Sequence, residues 1–351
     1  MPEDDGAGLA GPESASQRRW VRRPAGSTWG DFGPDDQLGR LNLLTPRRRL
    51  AAVSEVRDGR VFALSLPLDL PGTGLVPPFR RPPQLSETAG HNARFSELFG
   101  MPGAVDIGCD DVVTLNTQYS TQWDAFCHVG ALFDVDGTGD PQPVYYNGFR
   151  ADVDIVGAAH ADGPRALRLG IDHIAGTGVQ GRGVLLDLHA LYGDERVLIG
   201  AAELADAMQR QDVTVEEGDI LCLHTGFAAA ALSAGAQADA ALLDRYPVLD
   251  GADEALLQWI TDSGVAAIAA DNIGVEVQPS GSTDVGVGEH TILPLHHHCL
   301  FKLGVPIGEL WYLSELADWL RRAERNRFLL TAPPLRLPGA VGSPVTPVAT
   351  V

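Results

Sequence analysis

The stretch Gly183-Val184-Leu185-Leu186-Asp187-Leu188 contains a continuous apolar run that is typical of a buried β-strand. Downstream, the pattern predicts a helix over residues 200–210 and a second apolar strand over residues 219–223. A further helix over residues 254–263 precedes a strand over residues 265–270. Because strands alternate with helices, the sequence predicts an α/β fold.

The two ends of the chain differ from this middle region. Residues 1–27 are rich in Gly, Pro, Ser, Asp and Arg and lack apolar periodicity, which predicts a disordered N-terminal tail. No linker interrupts residues 28–351, so we expect them to form a single catalytic domain. Residues 67–103 contain many prolines and glycines and predict a long ordered loop. Residues 328–351 are apolar and proline-rich, and we expect them to pack in an extended form.

The composition excludes several classes of function. The 351 residues include 26 basic and 46 acidic side chains, for a net charge of −20, which argues against nucleic acid or an anionic membrane as a partner. No apolar run approaches the roughly 20 residues that cross a bilayer, and the acidic start MPEDDGAG is unlike a signal peptide. We therefore expect a cytoplasmic protein that acts on a small molecule.

The common nucleotide and hydrolase motifs are absent or misplaced. The string GTGVQG at residues 176–181 matches GxGxxG, but it follows a predicted helix and precedes a strand, which is the reverse of a dinucleotide site. The sequence contains no GxxxxGK[ST], HExxH or GxSxG motif. Nucleotide-driven chemistry and the nucleophile-elbow hydrolases therefore lack support.

Two other segments carry residues suited to metal binding and acid–base chemistry. In QYSTQWDAFCH, residues 118–128, strand alternation would place Gln118, Gln122 and Asp124 on one face, with His128 four residues beyond. Three histidines at 296–298 are followed by Glu309, twelve residues after His297. Carboxylate and imidazole groups with open positions would suit Mn²⁺, Zn²⁺ or Fe²⁺.

Structural roles for the same residues remain open on the sequence alone. Asp124 could cap a helix that begins at Ala125, because an Asp before an apolar turn commonly does so. The three histidines could form a partly buried helix start, and Glu309 could be a solvated turn residue.

The two segments resemble the motifs of the cyclase family that includes bacterial kynurenine formamidases and isatin hydrolases. QYSTQWDAFCH is similar to that family's HxGTHxDxPxH, and HHCLFKLGVPIGE, residues 297–309, is similar to HRxLLxxGIPILE with the same spacing. Shorter similarities run from Trp29-Gly30 to residues 338–348, so the resemblance spans nearly everything after residue 27.

The resemblance implies a swivelling β/β/α fold in one domain, a divalent metal, and a dimer or tetramer. By position, Asp124, His297 and Glu309 match metal ligands, and His128 matches the histidine that transfers protons. Gln118 and Gln122 replace the two histidines that hold a further metal in binuclear relatives. The resemblance therefore implies one metal ion, Mn²⁺ or Zn²⁺, and argues against a second.

The expected function is hydrolysis of an amide, lactam or lactone bond in a small, often aromatic, molecule. Asp124, His128 and Glu309 would be the catalytic residues, with His128 as the base that takes a proton from water. The substrate would contact the following side chains: Gln118, Gln122, Trp123 and Phe126. Two alternatives remain, namely a metal-independent cyclase, dehydratase or isomerase, and a binding protein without catalysis.

Overall fold

The computed structural model describes residues 18–277 and 290–351, except for the side chain of residue 236. Its strands, in chain order, are β1 (Val61–Ala63), β2 (Gln84–Glu87), β3 (Ala93–Arg94), β4 (Ile107–Gly108), β5 (Asp111–Thr114), β6 (Gln122–Asp124), β7 (Ala131–Phe133), β8 (Gln142–Val144), β9 (Ile155–Val156), β10 (Arg165–Ala166), β11 (Gln180–Asp187), β12 (Leu198–Ile199), β13 (Ile220–His224), β14 (Val248–Leu249), β15 (Ala267–Ala270), β16 (Ile307–Glu309), β17 (Arg327–Thr331), β18 (Gly342–Pro344) and β19 (Val348–Thr350).

The helices connect and cover these strands. They are α1 (Pro46–Val53), α2 (Phe95–Leu98), α3 (Ile171–Gly176), α4 (Leu188–Tyr192), α5 (Ala201–Arg210), α6 (Phe227–Ala234), α7 (Glu254–Ser263), α8 (Pro294–His296) and α9 (Ser314–Arg322). A π-helical segment, His297–Leu303, continues α8, and short 3₁₀ helices lie at Gly39–Leu43, Tyr146–Gly148, Gly235–Gln237 and Ala240–Asp244. In the described part of the chain, no helix is both long and apolar enough to span a bilayer.

Within the described residues, the main sheet has nine strands in the order β1-β19-β17-β11-β13-β15-β16-β6-β18. Strands β11, β13, β15 and β16 are parallel to one another, and the flanking pairs are antiparallel. All residues of β13 and β15 are buried, as expected for parallel strands covered on both faces. This double burial explains the continuous apolar runs in the sequence, and the α/β prediction is confirmed.

Local signals set several helix boundaries. Thr45 accepts a hydrogen bond from the Arg48 N–H at the start of α1, and Pro46 occupies the first helical position. Asp253 caps α7 in the same manner, and α7 ends at Gly264, whose φ of 66° suits a residue without a Cβ. The GTGVQG string connects α3 to β11, which confirms that it is a turn between a helix and a strand.

Three sequence expectations differ from the structure. Residues 18–27 pack onto the body: Trp20 is buried against Trp29, and the Val21 N–H donates to the Val135 carbonyl. Residues 1–17 of the expected tail lie outside the described residues. Residues 67–103 include β2, β3 and α2, and residues 328–351 contribute strands to the sheet instead of only packing on it.

The pairing of β6 with its neighbours places the acids of the two motifs side by side. In the antiparallel β6–β16 pair, Gln122 lies opposite Glu309 and Asp124 lies opposite Ile307, so Gln122, Asp124 and Glu309 share one face. Strand β6 also pairs with β18 on its other side. Gln118 lies in a turn before β6 and not on the strand, so the predicted alternation holds only from Gln122 onward.

Candidate metal and active site

Two buried carboxylates and one imidazole converge where β6, β16 and α8 meet. Asp124, His296 and Glu309 each offer a ligand atom, and these atoms all lie within 4.8 Å of one another. The carboxylates come from neighbouring strands, and His296 comes from the last residue of α8. The three side chains form a group that could hold a metal ion.

The histidine in this group is His296 and not His297, which the motif spacing had indicated. His296 Nε2 lies 3.4 Å from Glu309 Oε1 and 4.0 Å from Asp124 Oδ2. The next residue along a helix is rotated by about 100°. His297 instead packs against the Phe301 ring, with 4.9 Å between centroids, and burial lowers its pKa to about 4.

Glu276 fixes the orientation of His296. Its Oε1 lies 2.7 Å from His296 Nδ1, and its carboxylate also accepts the backbone N–H groups of Leu295 and His296, each at 2.9 Å. Histidines that bind metals commonly donate their second ring N–H to a carboxylate in this way. Nε2 of His296 is thereby directed at Asp124 and Glu309.

The ionisation of the group reflects its burial. Burial raises the pKa of Asp124 to about 6, partly offset by the nearby His128. Burial would lower the pKa of His296, but its hydrogen bonds with Glu276 and Glu309 raise it to about 10. Burial would also raise the pKa of Glu309, yet the hydrogen bond from His296 keeps it below its usual value. The contacts of His296 with the carboxylates of Glu276 and Glu309 therefore favour its protonated form.

Two buried oxygens without hydrogen-bond partners indicate that a cation fits here. Gln122 donates through Nε2 to Asp124 Oδ1 at 3.2 Å, and this hydrogen bond does not involve the Oε1 atom of Gln122. Both Gln122 Oε1 and Asp124 Oδ2 are buried and have no hydrogen-bond partner among the residues that the structure describes. Burying such oxygens is costly unless a ligand satisfies them. Two carboxylates, an imidazole and an amide oxygen are a donor set that fits Mn²⁺ or Zn²⁺.

A cleft of about 950 Å³ adjoins this group. His128 lies on its wall, and His128 Nε2 is 3.9 Å from Asp124 Oδ1. His297, His290 and Thr291 also line the cleft, and its apolar lining residues are Val129, Gly130, Ala131, Leu132, Pro141, Ile292 and Leu293. His128 is thus placed between the cleft and the buried carboxylates.

The family model described as "Putative cyclase" matches residues 62–277, more than half of the chain. This chain belongs to that cyclase family. Among solved structures, a cyclase is 32% identical, covering 93% of this chain and 99% of that chain with a TM-score of 0.73. An isatin hydrolase A from Ralstonia solanacearum is 17% identical, covering 87% of this chain and 97% of that chain with a TM-score of 0.53. An isatin hydrolase bound to the product analogue thioisatinate is 14% identical, covering 88% of this chain and 99% of that chain, also with a TM-score of 0.53.

These matches confirm the family resemblance and the single-domain cyclase-like fold. Among proteins with curated descriptions, none matches this sequence significantly.

Two of the expected substrate contacts lie in the core of the protein. Trp123 is fully buried, donates to the Ala332 carbonyl at 2.8 Å and packs edge-on against Trp311. Phe126 is also fully buried and packs against Tyr146. Trp123 alternates with Gln122 and Asp124 along β6, so it points to the opposite face of the sheet. Neither aromatic side chain forms a wall of the cleft described above.

Gln118 and Arg80 lie together near the carboxylates. Arg80 donates through its guanidinium to the Gln118 backbone carbonyl at 3.0 Å. The positive charge of Arg80 is also among the influences that lower the pKa values of Asp124 and Glu309, after the larger effects of burial and the histidines. The Gln118 side chain accepts a hydrogen bond from the Thr117 hydroxyl at 2.8 Å. Arg80 and Glu276 could not be predicted from the sequence, because each lies in a segment with no recognisable motif.

Proposed function

We propose that this cyclase-family protein is a metal-dependent hydrolase that opens an amide, lactam or lactone bond in a small cyclic or aromatic molecule. The observation that carries the proposal is the buried convergence of Asp124, His296 and Glu309 with two unpartnered oxygens beside a large cleft. The fold shared with isatin hydrolases supports this class of reaction.

One divalent ion, Mn²⁺ or Zn²⁺, would be held by Asp124, His296 and Glu309. Gln122 Oε1, which is buried and has no hydrogen-bond partner among the described residues, would act as a further, neutral oxygen ligand. When bound, such an ion polarises a carbonyl group and lowers the pKa of a water molecule. Glu276 contributes by holding the His296 ring in the orientation that this ligation needs.

Side chains of the protein then transfer the proton during the reaction. His128 accepts a proton from the attacking water as the new C–O bond forms, and it returns that proton to the leaving nitrogen or oxygen as the C–N or C–O bond breaks. Asp124, 3.9 Å away, stabilises the positive charge that His128 carries between these steps. Arg80 has guanidinium donors suited to the carboxylate that the hydrolysis produces. The apolar residues of the cleft bind the ring of the substrate.

A metal-independent isomerase or dehydratase is the alternative. His296 makes contacts with carboxylates through both ring nitrogens, which is the arrangement of a protonated imidazole. Such a group could act as an acid opposite His128 as a base, without a cation. The two functions differ in whether chelation stops turnover and whether ¹⁸O from labelled water enters the product.

The test compares two adjacent histidines. Metal content of the purified full chain is measured by mass spectrometry for the wild type, His296→Ala and His297→Ala, alongside turnover of lactams, lactones and N-formyl aromatic amines. We expect close to one equivalent of metal in the wild type and in His297→Ala, and a loss of metal and turnover in His296→Ala. Full turnover in EDTA, or metal retained by His296→Ala, would contradict the proposal.

A further inference from the structure

A second cluster of reactive side chains lies at the carboxyl ends of the parallel strands. Glu309 of the metal site lies at the same end of the sheet, on a different strand. Asp187 is the last residue of β11 and His224 is the last residue of β13, and the parallel register pairs them directly. Ser314 is the first residue of α9. Strands β13 and β16 are separated by β15, so about two strand spacings of roughly 4.8 Å lie between this cluster and Glu309.

The three side chains form a continuous relay. His224 Nδ1 lies 2.7 Å from Asp187 Oδ1, and His224 Nε2 lies 3.0 Å from Ser314 Oγ. When the imidazole is neutral and donates from Nδ1 to the carboxylate, its Nε2 lone pair accepts the serine hydroxyl proton. This is the order of contacts in which an acid, a histidine and a serine activate a hydroxyl nucleophile.

The carboxylate of the relay is held in its ionised form. Arg321 donates to Asp187 Oδ2 at 2.7 Å, and the Ala190 N–H donates to Oδ1 at 3.0 Å. Although burial acts in the opposite direction, the hydrogen bond from His224 and these contacts lower the pKa of Asp187. Asp187 can therefore orient His224 and stabilise the imidazolium that forms when Ser314 loses its proton.

The position of Ser314 also offers stabilisation for an oxyanion. The N–H groups in the first turn of an α-helix have no acceptor within the helix, and Ser314 begins that turn in the nine-residue α9. Such N–H groups can donate to a negative oxygen that develops on a carbonyl bound beside the serine. Ser314 is partly exposed, whereas His224 and Asp187 are buried.

We propose that Ser314, activated by His224 and Asp187, is the nucleophile of a second, metal-independent activity that hydrolyses small activated esters. Ser314 Oγ forms a bond to the acyl carbon as its proton passes to His224 Nε2. The ester C–O bond then breaks, and the alcohol leaves with that proton. Water repeats the sequence, which releases the carboxylic acid and restores the serine.

The test uses the full chain in EDTA, so that any metal site is silent. A fluorophosphonate probe and p-nitrophenyl acetate are applied, and the modified residue is located by peptide mass spectrometry. We expect one adduct at Ser314, no adduct in Ser314→Ala, and labelling slowed at least about 100-fold in His224→Gln. Ser263→Ala is the matched control, because Ser263 is also a partly exposed serine at a helix end, but its hydroxyl contacts only backbone groups, the Ile260 carbonyl and the Val265 N–H.

The competing role is purely structural, since Ser314 and Arg321 both join α9 to the sheet. If the hydroxyl only joins elements, Ser314→Ala lowers the melting temperature while the wild type shows no adduct at Ser314, and this result overturns the proposal. An adduct that forms equally fast in His224→Gln also overturns it. If His224→Gln does not fold, the comparison of the wild type with Ser314→Ala, together with detection of an acetyl group on Ser314, decides the matter.

Discussion

Replacing Asp124 by Asn should stabilise the metal-free protein even though it removes a proposed metal ligand. Asp124 is fully buried, and its pKa in the folded state is about 6 against an ordinary value of 3.8. A rise of about two pKa units means that ionising this carboxyl costs the folded state about 3 kcal/mol at neutral pH. Asn keeps an acceptor for the Gln122 amide and removes the negative charge beside Glu309.

The sign of the effect also fixes its pH dependence. Below its unfolded pKa, a carboxyl whose pKa is raised on folding is protonated in both states and does not lower the free energy of unfolding. As the pH rises from the unfolded pKa through the folded pKa, the free energy of unfolding decreases. The advantage of the Asp124→Asn variant over the wild type should therefore be absent below about pH 3.8, grow up to about pH 6 and stay constant above it. Asp187→Asn serves as a control of opposite sign, because the pKa of Asp187 is lowered in the folded state.

Urea unfolding in EDTA at pH 7.5 measures these differences in the free energy of unfolding. In buffer without EDTA, free Mn²⁺ at one hundred times its Kd should stabilise the wild type by about 3 kcal/mol and Asp124→Asn by much less. If Asp124→Asn unfolds at a lower urea concentration than the wild type in EDTA, the argument from burial is refuted. If both proteins gain equally from Mn²⁺, Asp124 is not a ligand.

Three further predictions concern the neighbours of Asp124. Glu276→Gln should weaken metal binding about 10- to 100-fold in calorimetry, because His296 loses the carboxylate that orients it; unchanged affinity would show that Glu276 only anchors α8. Gln122→His should strengthen Zn²⁺ binding at least about tenfold relative to Mn²⁺, since imidazole is a better zinc ligand than an amide oxygen; competition titrations with both metals measure this, and an unaltered preference would place Gln122 outside the coordination sphere. His128→Ala should retain metal yet reduce kcat by about 10²- to 10⁴-fold; steady-state kinetics with a metal assay check both, and full turnover would remove His128 from the mechanism.

The parts of the fold that were predictable from the sequence are those in which burial leaves a local pattern. Strands β11, β13 and β15 are covered on both faces, so their apolar runs identified them directly. Asp124 and Glu309 could be found because each sits in a motif with recognisable spacing. Strand alternation, which places neighbouring residues of a strand on different faces, also predicts that Trp123 points away from the face that carries Gln122 and Asp124.

The remaining features depend on contacts between distant segments. The motif spacing indicates His297, and only the helix phase, set by the contacts of Glu276 with Leu295 and His296, selects His296 among the three consecutive histidines. Arg80 approaches the carboxylates from a loop whose sequence has no regular period. The relay from Asp187 to Ser314 joins residues 127 positions apart, and only the sheet register and the placement of α9 bring them together.

Strand β6 is hydrogen-bonded on both sides, to β16 and to β18, so the backbones that carry Asp124 and Glu309 cannot move apart without breaking the sheet. His296 stands instead on a short helix. A metal ion of different radius at this centre would therefore be accommodated by displacement of α8. The selectivity of the site for ionic radius would then depend on how far α8 can be displaced.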